Sequence, residues 1–222
     1  ARFGYPPCPG DIMLTNPLWR QPLSSFKQAL NGWIYGADPQ GVLNLAIFLD
    51  AVVVTGDTGL LDAARSHLAA VMADNQGFLA RFAQAADQFA EADNWWTRLV
   101  NRRSERTVDL KKVGSFPIVH GVRALALQYR IDARSTAQRL QRLAEQHHLS
   151  ESVARDLTDA LHFLMRLKLE QQLLARQTGQ PVGNQVSLDA LGALERDMLE
   201  QSLAIVGRFR QHLRQHFRFD LL

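Results

Sequence analysis

Apolar side chains along most of this chain recur every three or four residues, which is the spacing of an amphipathic α-helix. Each such stretch presents one apolar face and therefore predicts a helix that packs against a neighbouring element. The stretches run over residues 24–34, 58–73, 75 to about 96, 135–147, 153–178 and 187–217. This pattern predicts a mainly α protein.

The last two stretches predict the longest helices, each on the order of 40 Å at about 1.5 Å per residue. The first of them ends before Gly179, a residue type that commonly terminates helices, and Pro181 follows closely. Because the GQPVGNQV loop between the two helices is short, we expect them to pack antiparallel. They would then form the core of a helical bundle.

Residues 109–131, DLKKVGSFPIVHGVRALALQYRI, lead from a charged loop into an apolar helix. A helix start at Pro117 is favoured because proline lacks the N–H that a first turn leaves without an intrahelical partner. Ser115 is a plausible N-cap residue for this start. One face of the helix is then apolar, with Ile118, Val122, Leu125 and Tyr129.

Residues 47–55 interrupt the helical pattern with a nearly continuous apolar and β-branched run. Such a run predicts a strand buried on both faces, and Asp50 is its one charged residue. No second strand is evident, so we expect its partners to lie outside this sequence. The start of the chain, Ala-Arg-Phe-Gly-Tyr-Pro without a methionine, likewise suggests a piece cut from a longer protein.

Composition and charge narrow the class of protein. With 46% hydrophobic and 21% charged residues, the 222-residue chain has the balance of a soluble globular protein. Its one cysteine, Cys8, excludes an internal disulfide framework and is compatible with a reducing cytoplasm. No apolar run suits a membrane span, and no signal-peptide pattern is present. Nucleic-acid binding is not favoured, because the net charge of +3 comes from dispersed arginines.

Several side chains could carry chemistry. Asp50, a carboxylate inside an apolar run, is either a structural ion pair or a catalytic or metal-binding group. The second candidate set could gather around a phosphate near the Pro117 helix start, where free amides favour anions. It consists of Lys111, Lys112, His120 and Arg123. The alternative for this set is a solvated, charged entry to the helix.

The proline-rich residues 1–23 are too apolar for a disordered tail and predict an ordered loop. Asn16 and Arg20 are substrate-binding candidates in this loop, which could equally be a packed connection without a binding role. The adjacent His147 and His148 are interpreted as partners of a helix C-terminus. Arg208 belongs to an arginine-studded face of the last helix that we expect to be solvated.

Two groups of segments resemble a known pair of domains. GYPPCPGDIMLTNPLWRQPLSSF and LNLAIFLDAVVVTGD resemble the back half of a bacterial nucleotidyltransferase domain, related to the protein-modifying uridylyltransferases of nitrogen regulation. DLKKVGSFPIVHGVRALAL, DALHFLMRLKLEQQ and the turn from Gly179 to Asn184 resemble the helical substrate-binding domain that follows it. Such proteins often carry CBS or cyclic-nucleotide-binding modules upstream.

This resemblance implies a mechanism for the intact protein. Its superfamily uses a Gly-Ser motif, an Asp-x-Asp pair and a third carboxylate, which together hold Mg²⁺ against a nucleoside triphosphate. Here the one Gly-Ser is Gly114-Ser115, and no Asp-x-Asp follows it. Asp50 is then the candidate third carboxylate, both catalytic and metal-binding. We therefore expect this chain to be inactive by itself.

The expected organisation is a remnant of an α/β nucleotidyltransferase domain over residues 1–73 and a helical substrate-binding domain over residues 74–222. The resemblance implies a cytoplasmic signalling protein whose partners are a nucleoside triphosphate, an unknown acceptor and upstream regulatory domains. A second reading is a non-catalytic interaction module. In that reading Trp95, Trp96 and the last helix would form the interface of a homodimer.

Overall fold

The computed structural model describes residues 4, 7–8, 10–36, 38–72, 75–87 and 107–221. The chain divides into two compact units, Ala1–Phe78 and Leu79–Leu222. Over the described residues nearly all regular structure is helical, so the prediction of a mainly α protein is confirmed. Trp95 and Trp96, predicted as interface residues, lie outside the described residues.

The first unit contains helices α1 (Leu23–Tyr35), α2 (Pro39–Phe48) and α3 (Thr58–Met72). Helix α1 packs against both α2 and α3. The core of the first unit includes the aliphatic side chains of Leu30, Ile34 and Leu45, which have no solvent exposure. Asp38 caps α2 by accepting a hydrogen bond from the Gln40 amide at 2.9 Å.

The strand predicted over residues 47–55 is wrong. Helix α2 extends to Phe48, a turn follows at Leu49 and Asp50, and the backbone is then irregular until α3. Val54 is 92% exposed, so the run is not buried. The physical reason is that β-branched residues favour strands only where a neighbouring strand can pair with them. No described residue of the first unit lies in a strand.

A fourth helix, α4 (Gln76–Gln84), crosses the boundary between the two units and continues as a 3₁₀ turn at Ala85–Asp87. The rest of the helix predicted to reach residue 96 lies outside the described residues. The second unit then contains α5 (Phe116–Gln128), α6 (Thr136–Glu145), α7 (Glu151–Gln177) and α8 (Ala193–His216).

The second unit also contains a small antiparallel sheet, which was not predicted from the sequence. Strand β1 (Thr107–Asp109) pairs with β2 (Gln185–Ser187). The paired Val108 and Val186 are both buried. Each strand has three residues, which is too short to give a readable alternation of apolar and polar positions.

Helices α7 and α8 pack antiparallel, as predicted, so that the start of α7 lies beside the end of α8. Ser150 caps α7, its hydroxyl accepting from the Val153 amide at 3.3 Å. The helix ends before Gly179, which has a φ of +69°. Helix α8 begins at Ala193, later than predicted, because β2 and a 3₁₀ turn at Leu188–Ala190 precede it.

Helix α5 begins at Phe116 with Pro117 in its first turn, as predicted, but the Ser115 side chain does not cap it. A π-helical turn at Lys111–Ser115 leads directly into α5, and Ser115 itself has helical φ and ψ angles of −68° and −34°. The cap is Asp109, whose Oδ1 accepts hydrogen bonds at 3.0 Å from the amides of Lys111 and Lys112. Ser115 is therefore a helical residue, and the preceding π-helical turn is the part that the sequence did not predict.

No helix among the described residues has both the length and the hydropathy needed to cross a membrane.

Candidate ligand-binding groove

A groove of about 580 Å³ lies in the second unit, where the α6–α7 connection meets the end of α8. The antiparallel packing of α7 and α8 creates it, because the first turns of one helix face the last turns of the other. Its lining consists of Ala144, His147, His148, Leu149, Ser150, Glu151, Val153, Asp156, Leu157, Ile205, Arg208, Phe209 and His212. All of these residues belong to the second unit.

The floor of the groove is apolar. Leu157 of α7 has no solvent exposure, and Phe209 of α8 is also buried. Leu149, which precedes α7, is buried beside them. These side chains form part of the bundle core, so the floor is a fixed surface held by packing.

His147 occupies the position that terminates α6. The amide of His147 donates to the Ala144 carbonyl and that of His148 to the Leu143 carbonyl, both at 2.9 Å. This hydrogen-bond pair is a Schellman motif, which normally places glycine at the left-handed residue. His147 has a φ of +58° instead. A non-glycine residue in the left-handed conformation costs roughly 1 kcal/mol, so the backbone at this position would favour glycine over histidine.

The imidazoles at the groove are fixed by their neighbours. The ring of His148 stacks on Tyr129, with centroids 3.5 Å apart and planes 9° from parallel. Burial lowers the pKa of His212, whose ring lies 5.7 Å from that of His216. Burial also lowers the pKa of His216, and the charges of His212 and His148 add to this effect. His212 and His216 are therefore neutral at pH 7 and can each donate one hydrogen bond and accept another.

Charged side chains at the groove nearly balance. Arg208 supplies a guanidinium, while Glu151 and Asp156 supply two carboxylates. Together these three side chains carry a formal charge of −1. A groove of this kind can accept hydrogen bonds from hydroxyl or amino groups and can bind one anionic group near Arg208.

The residues predicted to bind phosphate near Pro117 differ in exposure, and their role in substrate binding stays a prediction. Lys111 and Lys112 are exposed on the π-helical turn, whereas Arg123 is half-buried in α5. The amides that begin the helix are already bonded to Asp109. An anion at this helix start would therefore have to displace an internal carboxylate.

His120 lies in the core of the second unit with 1% of its surface exposed. Its Nε2 is 2.7 Å from the Phe82 carbonyl oxygen, and its ring stacks between Phe82 and Phe116 at centroid distances of 4.6 and 5.4 Å. Burial lowers the pKa of His120 to about 4, and the charge of Arg123 adds to this effect. The neutral ring therefore donates from Nε2, while Nδ1 has no hydrogen-bond partner among the described residues.

The remaining predicted residues lie in the first unit. The side chain of Asn16 caps a short 3₁₀ turn at Pro17–Trp19 by accepting from the Leu18 amide at 2.9 Å, and Arg20 is exposed after it. The loop packs onto α1, because Trp19 and Trp33 have ring centroids 5.6 Å apart. The loop therefore packs against the first helix, while the role of Asn16 and Arg20 in substrate binding stays a prediction.

Asp50 is half-buried in the turn after α2, close in sequence to Ala51, whose carbonyl accepts from Arg65 at 2.8 Å. Protein Mg²⁺ sites use carboxylate oxygens together with water and substrate phosphates. Among the described residues, no three His, Cys, Asp or Glu side chains converge. The metal-binding and catalytic roles of Asp50 stay predictions.

Sequence reasoning did not select the groove residues. The paired histidines were interpreted as partners of a helix end, and Arg208 as part of a solvated face. The available signal was the predicted antiparallel pairing of the two long helices, which places residues near 150 beside residues near 208. The positive φ of His147 could not be predicted from the sequence, because the left-handed residue of a Schellman motif is usually glycine.

The fold and the groove define a helical-bundle domain with a cavity of ligand size. Residues 76–217, more than half of the chain, match the family described as "Putative nucleotidyltransferase substrate binding domain". The chain therefore belongs to this family, and the resemblance inferred from its motifs is confirmed. Residues 1–40 match a second family, described as "Putative nucleotidyltransferase DUF294". No curated protein and no solved structure matches the chain.

Proposed function

We propose that the helical unit binds a substrate of a nucleotidyltransferase-like signalling protein, either the nucleotide or its acceptor. The observation that carries this proposal is the match of residues 76–217 to a substrate-binding family. The groove supports it, because a concave site of about 580 Å³ with an apolar floor and polar side chains at its border is suited to a small molecule.

We also propose that this chain does not transfer a nucleotide by itself. It has no Asp-x-Asp pair. Its one Gly-Ser lies in a packed helix, where a Cβ on Gly114 would be 2.8 Å from Leu164 Cδ1. A glycine used for close helix packing is not available to cradle a phosphate in a loop. These features support a binding role for the chain rather than a catalytic one.

For the intact cytoplasmic protein the proposal includes Mg²⁺, a nucleoside triphosphate, an acceptor and regulatory domains upstream. Asp50 is the residue of this chain that would contribute to the metal and to catalysis. If Mg²⁺ binds there, it would neutralise triphosphate charge and activate the attacking group. No property proposed for the helical unit depends on that metal.

Calorimetric titration of the chain tests the binding role. Inorganic phosphate, nucleoside triphosphates and nucleoside monophosphates are the probes, and we expect a dissociation constant of about 1 mM or tighter for at least one of them. Lys111→Ala provides a test of the predicted basic site, because unchanged phosphate binding removes Lys111 from it. Absence of binding by every probe would contradict the nucleotide as the substrate of this unit.

A transfer assay tests the proposed inactivity. The chain is incubated with labelled nucleoside triphosphates, Mg²⁺ and a bacterial protein extract, and no labelled product is expected. Transfer that is present in the wild-type chain and lost in Asp50→Asn would show that the chain is an active enzyme. Such a result would overturn this part of the proposal.

A second candidate function is a non-catalytic interaction or dimerisation module. Beyond Leu167 no residue of α7 is buried, and the start of α8 is similarly exposed. Large apolar side chains in this region are at least half exposed: Met165, Leu169, Leu173, Leu174 and Leu194. Light scattering over a concentration series tests this function by measuring the oligomeric state. A chain that stays monomeric at every concentration would count against it.

A further inference from the structure

We propose that the groove at the start of α7 binds the nucleoside part of a nucleoside or nucleoside monophosphate, with Asp156 on the ribose hydroxyls and Arg208 on the phosphate. This assignment rests on the proposed substrate-binding function and names the chemical class of the ligand. It also locates the site on helices α7 and α8, away from the basic residues at the start of α5.

The floor suits a flat aromatic ring. Leu157 and Phe209 are buried behind the groove, and the exposed imidazole of His212, on the same face of α8 as Phe209, lines it. The rings of Phe209 and His212 lie 6.5 Å apart and within 15° of parallel. Bases bind proteins by stacking on aromatic and imidazole rings, which favours a nucleobase over a sugar or an alkyl chain here.

The two carboxylates suit the vicinal hydroxyls of ribose. Asp156 lies on α7 five residues after Glu151, and both line the groove. A carboxylate accepts hydrogen bonds from both hydroxyl groups of a ribose ring, which is how dinucleotide-binding folds hold this sugar. Neither Glu151 nor Asp156 has a salt bridge to another described residue.

Arg208 suits one phosphate group, and its position is favourable. It lies on α8 opposite the first turn of α7, where the positive end of a 27-residue helix dipole also attracts an anion. A guanidinium binds phosphate through paired N–H groups. The helix start is a supporting feature, and the groove with its guanidinium and carboxylates is the site.

The charge of the lining discriminates between phosphate chains. Arg208 shares the lining with two carboxylates, so a triphosphate would place several negative charges beside Glu151 and Asp156. A nucleoside avoids this repulsion, and a monophosphate offsets it by its contact with Arg208. We expect the monophosphate to bind most tightly, then the nucleoside, then the triphosphate.

Calorimetric titration of the full chain with adenosine, adenosine monophosphate, adenosine triphosphate, uridine monophosphate and ribose 5-phosphate tests the inference. Asp156→Asn should weaken the binding of adenosine and of its monophosphate by about 10-fold, because a charged hydrogen bond is lost. Arg208→Ala should weaken the monophosphate by about 10-fold and leave adenosine unchanged. Val153→Phe should fill the groove and abolish both.

Matched controls come from the same helix. Asp159→Asn and Arg155→Ala change equivalent groups on α7 that line a neighbouring hollow and not this groove, so both should bind like the wild type. Val153 is 38% exposed, so its replacement should leave the fold intact. Thermal unfolding of each variant verifies this.

The outcomes separate this inference from the proposed function. Monophosphate binding that weakens as described in the groove variants and not in the controls supports both. Binding of any probe that is unchanged in all three groove variants overturns the inference and leaves the substrate-binding function standing. Triphosphate or ribose 5-phosphate binding tighter than the monophosphate also overturns the inference. No binding by any probe overturns the inference and contradicts the nucleotide as the substrate of this unit.

Discussion

The start of α5 and the groove at the end of α8 are both rich in polar side chains, but their surroundings differ. At the start of α5, Asp109 already satisfies the helix amides, and His120 is enclosed by the core. At the groove, Arg208 and Asp156 line a cavity without such internal commitments among the described residues. The chemistry available to a side chain therefore depends on which partners have already satisfied it.

The largest expected effect concerns His120. Its folded pKa of about 4 lies below the ordinary value of 6.5, so the unfolded chain binds the extra proton first as the pH falls. The stability this residue provides is present above pH 6.5 and is lost as the pH falls towards 4, by about 3 kcal/mol. Gln at this position still donates to the Phe82 carbonyl but cannot titrate.

We therefore expect His120→Gln to flatten the loss of unfolding free energy between pH 7 and pH 4, measured by urea denaturation. His212 and His216 contribute in the same direction in both proteins, because burial also lowers their pKa values. His212→Gln serves as the control and should change the pH dependence less. Identical pH profiles for wild type and His120→Gln would show that His120 is not an enclosed neutral ring.

The next effect concerns the packing of α5 against α8. A Cβ on Gly121 would lie 2.4 Å from Leu213 Cδ1 and 2.8 Å from Phe209 Cε1. Gly121→Ala should therefore destabilise the second unit by about 1–3 kcal/mol. Gly207→Ala is the matched control, since nothing lies within 4 Å of its added Cβ. That variant should be stabilising by up to about 1 kcal/mol. Equal midpoints of urea unfolding for the two variants would refute this packing.

The cap at the start of α5 gives a smaller effect. Asp109→Ala removes the acceptor of two helix amides and should lower the free energy of unfolding by about 1 kcal/mol. Asp132→Ala, a change at an exposed residue outside the helices, should alter it by less than about 0.5 kcal/mol. If Asp109→Ala instead raised phosphate affinity without loss of stability, this helix start would be an anion site after all.

The smallest expected effect concerns His147. Glycine at this residue removes the cost of its positive φ, so His147→Gly should stabilise the chain by up to about 1 kcal/mol. The same change should weaken nucleoside monophosphate binding, because an imidazole is lost from the groove. Thermal unfolding and titration measure the two effects on one sample. A variant that is less stable than the wild type would show that the ring contributes more to folding than its backbone costs.

Local patterns in the sequence predicted the helices well. The 3.6-residue spacing located α3, α6 and α7. Ser135 caps α6 by accepting from the Gln138 amide at 3.1 Å. Sequence patterns that define an element only when a distant segment pairs with it gave a wrong prediction. The apolar run after Asn44 looked like a strand, but α2 uses its first part and no described residue of that unit pairs with the rest.

Prediction of the site was weaker for a related reason. Lys111, Lys112 and His120 stood out by residue type, whereas their availability depends on Asp109 and on the core around Phe82. The groove residues are separated by about 60 positions in sequence and meet through the pairing of α7 with α8. In both regions the sequence gives the residue types, but it does not show which side chains are buried or which groups they hydrogen-bond to.

The most direct test of the groove as a nucleoside site is a titration of the histidine ring signals by nuclear magnetic resonance. With adenosine monophosphate as the probe, the signals of His147, His148 and His212 should shift together along one saturable curve, while that of the enclosed His120 stays in place. Signals assigned by single His→Gln variants identify each ring. Saturable shifts elsewhere with these three unmoved, or no shifts at millimolar ligand, would contradict the account.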